Sequence, residues 1–165
     1  MMRRLWLLLL PIVLLFAGCD DETAYSYVGY YNVTMELYAV VRDANGVDHT
    51  VRASDKGEMY LDLDDVDGYV YTEGFINTTG YVDDEGNLYL DPSTIHVEME
   101  SVTLPDMEAD VVLQHSVTRH NGWGNMEWSS TVTSQLRDYE VVSATVNYRA
   151  VYLGTDSDDD YDYYD

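Results

Sequence analysis

The sequence predicts an all-β domain, an antiparallel up-and-down barrel of about eight strands, with a β-sandwich as the alternative way to close the sheet. Three observations carry this expectation. Apolar and polar residues alternate with period two through most of residues 25–154. Clusters of Asp, Asn and Gly interrupt the alternation where tight hairpins would fall. No long stretch repeats its apolar residues at the 3.6-residue helical period. Strands joined in order by short turns pair with their chain neighbours, and closing them into a barrel removes the exposed edges.

The elements follow from the same pattern. In the first strand Val33, Met35, Leu37, Ala39 and Val41 share one face, with Asn32, Thr34 and Glu36 on the other. Asp43-Ala44-Asn45-Gly46 turns the chain, because Asn-Gly tolerates positive φ. Val47, His49 and Val51 point inward on the return, Ser54 to Gly57 is expected to turn again, and Met59, Leu61 and Leu63 resume the inward phase. Tyr69 to Thr79 reads as one strand, Asp83-Asp84-Glu85-Gly86 as a hairpin loop, and Leu88 and Leu90 as the next strand. Pro92, which has no N–H to give a ladder, marks an edge or corner before Ile95, Val97 and Met99. After a loop at Leu104-Pro105-Asp106, Val111, Leu113, His115 and Val117 are expected on one face. A glycine-rich loop, Asn121-Gly122-Trp123-Gly124-Asn125, leads to Met126, Trp128, Val132 and Leu136. The closing strand puts Val142, Ala144, Val146, Tyr148, Ala150 and Tyr152 on one face.

Gly29-Tyr30-Tyr31 entering the first strand, the meandering hairpins and Arg149 on the closing strand resemble the lipocalin-like, or calycin-like, barrels. That resemblance implies an apolar cavity at one open end that holds a small apolar or amphipathic ligand. Eight-stranded barrels either fill their interior with side chains or hold one small ligand. The candidate ligand contacts are Trp123 at the hairpin tip, together with Trp128 and Tyr148 on the strands. Trp123 has two readings, a lid folded over the mouth or an exposed contact residue.

Ahead of the barrel lies a leader. Arg3 and Arg4 are followed by an apolar run from Leu5 to Phe16, then by small Ala17 and Gly18 and by Cys19, which is the single cysteine. The apolar run is short against the roughly 20 residues that span a bilayer. Small apolar residues closed by Cys resemble the lipobox of bacterial lipoproteins. The resemblance implies cleavage before Cys19, a diacylglyceryl group on its thiol, and a domain held at the periplasmic or outer face of an envelope membrane. The organisation is then 1–18 signal peptide, 19–24 acidic tether, 25–154 barrel, and 155–165 a Ser/Asp/Tyr tail expected to be disordered.

Charge narrows the partners. The whole chain carries −23, and loss of Arg3 and Arg4 makes this −25. Nucleic acid is not an expected partner, since phosphate contacts need clustered Lys and Arg. An anionic membrane repels such a domain, so the acyl chains must do the holding.

Chemistry is sparsely signalled. No Gly-x-Ser-x-Gly elbow, phosphate-cradling glycine loop or free nucleophilic cysteine is present, and the sequence reads as a non-enzyme without cofactor. His49, His96, His115 and His120 lack metal-ligand spacing; His49 and His115 fit the inward phase as core or cavity-lining residues. Asp62-Leu63-Asp64-Asp65-Val66-Asp67-Gly68 resembles an EF-hand loop but has Val66 at a ligand position, and no metal site is assigned. Two functions stay open: a lipid-anchored ligand-binding barrel, or a structural or protein-interaction module of the envelope.

Overall fold

A computed structural model of the chain describes residues 21–64, 68–133, 136 and 138–155. Cys19, the leader, the centre of the acidic 62–68 segment and the tail from 156 lie outside the described residues. Among the described residues one short helix, α1 (Asp21–Tyr25), precedes ten strands. These are β1 (Gly29–Arg42), β2 (Asp48–Leu63), β3 (Tyr69–Gly74), β4 (Thr78–Val82), β5 (Leu88–Leu90), β6 (Ser93–Ser101), β7 (Met107–Leu113), β8 (Ser116–Thr118), β9 (Met126–Thr133) and β10 (Glu140–Gly154).

Every pairing between strands is antiparallel, and β1–β10–β9–β7–β6–β2 closes back on β1 as a six-stranded barrel. Four further strands, β3–β4–β5–β8, extend the sheet from β2. Long β2 makes this branching possible. Val51 and Arg52 pair with β6, whereas Met59 to Leu63 pair with β3. On the far side β8 lies alongside β9, where the Thr118 hydroxyl donates to the Glu127 carbonyl at 3.0 Å. The barrel therefore has a narrow end, where β1 finishes, and a broad end, where β1 begins and β10 finishes.

The expected hairpin order holds, and three differences have local causes. Ser54 to Gly57 is no turn: β2 runs straight through it, paired with Lys56, Asp55 and Ser54 opposite Thr34, Met35 and Glu36. Gly57 serves a close approach, since a Cβ there would lie 2.6 Å from the Phe75 ring. Residues 69–79 form a hairpin in place of one strand, its 75–77 turn fixed by Asn77, whose side chain accepts from Gly74 N–H and donates to Gly74 C=O.

The third difference is a slip in phase. Leu90 opposes Ser116 and Ser93 opposes Leu113, so β5 with β8 and β6 with β7 form one ribbon in a single register. At Asp91-Pro92 and Gln114-His115 the inward set changes on both arms together. Leu88, Leu90, Ser116 and Thr118 are buried on one side of the break, and Val97, Met99, Val111 and Leu113 on the other. The double slip preserves pairing but turns His115 outward, its side chain 74% exposed, 3.7 Å from Asp91. Val47 and Val142 are likewise exposed, against expectation: Val47 belongs to the turn before β2, and Val142 is the extra residue of a bulge where the register passes from Val40–Ser143 to Val41–Val141.

The buried apolar side chains of the described residues form one core inside the barrel. At the narrow end Leu37, Ala39, Val41, Met99, Val111 and Val132 close around a gap of about 10 Å³, near the least space one water needs. Residues 21–24 of the expected 19–24 tether belong instead to α1, and Ala24 and Tyr27 are buried at the broad end. Tyr27 donates to the Gly86 carbonyl at 2.8 Å, and Tyr31 donates to the Tyr27 carbonyl at 2.6 Å. Burial pushes both phenols above their ordinary pKa. A phenol belongs here because its ring contributes apolar area while its hydroxyl satisfies a loop carbonyl.

Candidate functional site

The three candidate contact residues separate into two places. Trp128 and Tyr148 oppose one another across β9 and β10 and stack at 4.9 Å with their planes 18° apart. Both are buried, on the inner side of the wall. The Tyr148 hydroxyl has no hydrogen-bond partner among the described residues, and burial raises its pKa. An unpartnered buried hydroxyl costs about 1–3 kcal/mol. Trp123 stands apart, 84% exposed at the β8–β9 hairpin tip, so it is no lid; Tyr27 and Ala24 occupy the mouth.

The Trp123 turn is one of three built alike. Asp43–Val47, Asp83–Asn87 and Asn121–Asn125 each start with Asp or Asn and carry glycine fourth, at φ 79°, 78° and 78°. In each, the first side chain's Oδ1 accepts the N–H groups of the third and fifth residues, at 2.8–3.2 Å. In each, the first N–H donates to the fifth carbonyl, and the glycine N–H donates to the first carbonyl. The left-handed glycine lets the turn follow strand twist without a Cβ clash. This shared Asp/Asn-x-x-Gly pattern is visible in the sequence once the three loops are aligned with one another.

The middle residues differ. The first two turns hold Ala44-Asn45 and Asp84-Glu85; the third holds Gly122-Trp123. An indole is not needed to make this turn. Its base is tied to the start of the chain. Ser26 Oγ and His120 Nε2 lie 2.8 Å apart, the His120 and Tyr27 rings meet edge-on at 4.6 Å, and the His120 N–H donates to the Tyr27 hydroxyl oxygen.

Beside this turn is a concavity of about 290 Å³ lined by Arg119, Asn121, Asn125, Met126, Glu127 and Arg149. Arg149 lies 3.7 Å from Glu127, with both side chains well exposed. Asn121 and Asn125 use their carbonyl oxygens on backbone N–H groups, Asn125 on that of Tyr152. Arg119 and Arg149 against the single carboxylate of Glu127 leave this lining cationic in a chain of −23, with the Arg119 guanidinium also about 4 Å from where a Cβ on Gly86 would stand. Two larger concavities are present: one of about 410 Å³ among residues such as Glu36, Arg52 and Glu98, and one of about 610 Å³ whose lining includes the candidate residues Trp128 and Tyr148 with Glu36, Asn147 and Arg149.

The histidines are dispersed. His49 lies between Thr103 (2.8 Å) and Asp43 (3.2 Å), and is mostly buried as expected. His96 pairs with Asp110 at 2.9 Å, which raises its pKa. Among the described residues no group of three or more His, Cys, Asp or Glu side chains is placed to hold a metal ion. The EF-hand-like segment falls partly outside them; Asp62 accepts from Leu63 N–H and lies 3.3 Å from the Tyr71 hydroxyl.

Much of the tyrosine content belongs to the wall. Tyr69, Tyr81 and Tyr89 oppose one another across β3, β4 and β5, with centroids 6.3 and 4.7 Å apart. Tyr30 packs on Tyr60, and Tyr31 on Tyr152. Such pairs contribute roughly 0.5–1.5 kcal/mol each beyond area burial. No protein-family model, curated protein or solved structure matches this chain.

Proposed function

We propose that this chain is a lipid-anchored protein of a bacterial cell envelope whose barrel is a rigid module acting through its outer surface and its broad-end turns. The carrying observation is the tight packing at both ends of the barrel: the narrow end leaves a gap of about 10 Å³, and Tyr27 and Ala24 are buried at the broad end. A drug-sized ligand needs about 300 Å³ or more. The anchor reading rests on the leader ending at Cys19, which lies two residues before α1. Metabolic labelling with a clickable fatty acid tests it. The wild type takes label and Cys19→Ser does not; label on the variant would sink the reading.

One observation favours the alternative, a barrel that takes a small apolar or amphipathic ligand. The unpartnered Tyr148 hydroxyl is a buried polar atom that a ligand could satisfy, with Trp128 stacked beside it. Two measurements separate the readings. Native mass spectrometry of delipidated protein from its own host gives the bare mass for a filled module, whereas a co-purifying molecule assigns the ligand function. Tyr148→Phe removes the orphan hydroxyl, and a filled module gains up to about 1 kcal/mol in denaturant unfolding. A loss of stability would mean that the hydroxyl has a partner.

A further inference from the structure

We propose that the Trp123 turn seats in the interfacial layer of the membrane that holds the Cys19 acyl chains, with Arg119 and Arg149 on headgroup phosphates. This inference rests on the lipid-anchor reading and goes beyond it, because it orients the domain.

Four observations converge on this surface. First, the indole is 84% exposed on a turn whose two structural siblings carry small or polar residues there, so the fold does not call for it. Tryptophan is the side chain enriched at the headgroup level, where an apolar ring and an N–H donor both find partners. Second, the chain that follows α1 reaches the base of this turn: Ser26 and Tyr27 are fastened to His120, while Thr23 within α1 lies against Gly86 of the Asp83–Asn87 turn at the same end. Cys19 is two positions before Asp21 in the sequence, a reach of at most about 7 Å.

Third, the groove next to the turn concentrates cationic charge. Arg119 and Arg149 both line it, with Glu127 as the one carboxylate among its lining residues. Headgroup phosphates are suited to guanidinium forks. Fourth, the broad end is asymmetric. The acidic Asp83–Asn87 turn stands at the same end, and Tyr27 bonds to its Gly86. A phosphate surface repels that side and accepts the Trp123 side, so the barrel leans toward the latter. Covalent anchoring makes this contact intramolecular, and a weak one then suffices.

The test supplies the anchor chemically, so that it does not depend on acylation in the cell. The mature chain, residues 19–165, is coupled through its single thiol at Cys19 to a maleimide phospholipid in phosphatidylcholine vesicles. Emission of Trp123 is taken as the difference between wild type and Trp123→Phe, which leaves buried Trp128 as the common background. On vesicles the difference emission shifts to shorter wavelength, and it is lost with lipids brominated near the headgroup end of the acyl chain. Reversing the groove, Arg119→Glu with Arg149→Glu, returns the emission toward that of the soluble protein. Inorganic phosphate without vesicles leaves it unchanged.

An indole that stays water-exposed, untouched by brominated lipid, overturns the proposal. So does an indole that is protected only in native envelope fragments, which assigns the turn to a protein partner. A response to phosphate alone assigns the groove to a free anion. Full insertion despite reversed charges removes the arginines' part. Fatty-acid labelling in cells decides the anchor separately, so failure of either reading is recognised by itself.

Discussion

The turns Asp83–Asn87 and Asn121–Asn125 stand at the same end of the barrel on nearly the same backbone, yet one presents Asp84-Glu85 and the other Gly122-Trp123. Each spans a hairpin, each caps its own amides with the first side chain, and each contacts Tyr27 or its neighbour His120. The difference teaches which positions the fold requires. First and fourth residues are fixed by hydrogen bonding and φ; the second and third are free, so their chemistry reports use rather than folding. The largest test of the comparison is to remove what holds both turns. Tyr27→Ala takes away a buried ring, the bond to Gly86 and the edge contact with His120. Unfolding stability should fall by about 3–5 kcal/mol, measured by urea denaturation. A fall below about 1 kcal/mol would mean that α1 is decoration on a barrel already closed.

Next in size are the glycines. Gly86 and Gly124 share φ of 78°, where an L-residue is strained by about 1–2 kcal/mol. Their surroundings differ. A Cβ at Gly86 would meet Thr23 at 3.4 Å, an ordinary contact, whereas one at Gly124 would meet the Tyr152 ring at 3.0 Å. Gly124→Ala should therefore cost more than Gly86→Ala, because Tyr152 is wedged against Tyr31 and cannot retreat freely. Equal losses would show that the ring gives way.

Acid sharpens the contrast without any substitution. Asn87 and the backbone N–H groups hold the Asp83 carboxyl below its usual pKa; at Asp43 the Val47 N–H does so first, with help from His49 and Asn45. Asn121, in the same role, does not titrate. A carboxylate with a lowered folded pKa stabilises above the unfolded value of about 3.9 and loses that contribution as pH falls through the folded value. Below pH 4, hydrogen-exchange protection of the Asn87 and Val47 amides should drop, while that of the Asn125 amide persists. A parallel loss at all three would point to global acid unfolding.

The sequence made the alternating strands, the turn residues and the break at Pro92 legible because each is a local signal. The phase slip was not legible. It occurs at Asp91-Pro92 and Gln114-His115 together, and only the pairing of two segments more than 20 residues apart reveals why His115 leaves the wall. Ser54 to Gly57 looked like a turn because three outward polar residues precede a glycine; Phe75, which needs that glycine bare, comes from another hairpin. Five residues of α1 are too few for a helical period to declare itself. Of the candidate site, the glycine flanks put Trp123 at a hairpin tip but did not choose between a lid and an exposed residue; the structure leaves it exposed. The stacking of Trp128 on Tyr148 depends on the β9–β10 register, which alternation alone does not set.

The smallest expected effect is the most diagnostic for the comparison. Replacing Gly122-Trp123 with Asp-Glu, by Gly122→Asp and Trp123→Glu, turns the third turn into a copy of the second. Asn121 still caps the third and fifth N–H groups, Gly124 keeps its φ, and an indole 84% exposed surrenders little buried area. Surface changes of this kind stay within about 0.5 kcal/mol, and removing a second-position glycine limits the unfolded chain slightly in the folded state's favour. Thermal unfolding should therefore be nearly unchanged, while the membrane-dependent shift in emission disappears with the indole and anchored barrels lose their tilt toward that side, as polarised infrared spectroscopy of oriented bilayers would register. A large loss of stability would mean that Trp123 packs on the barrel after all, and the two turns would then differ in folding as well as in use.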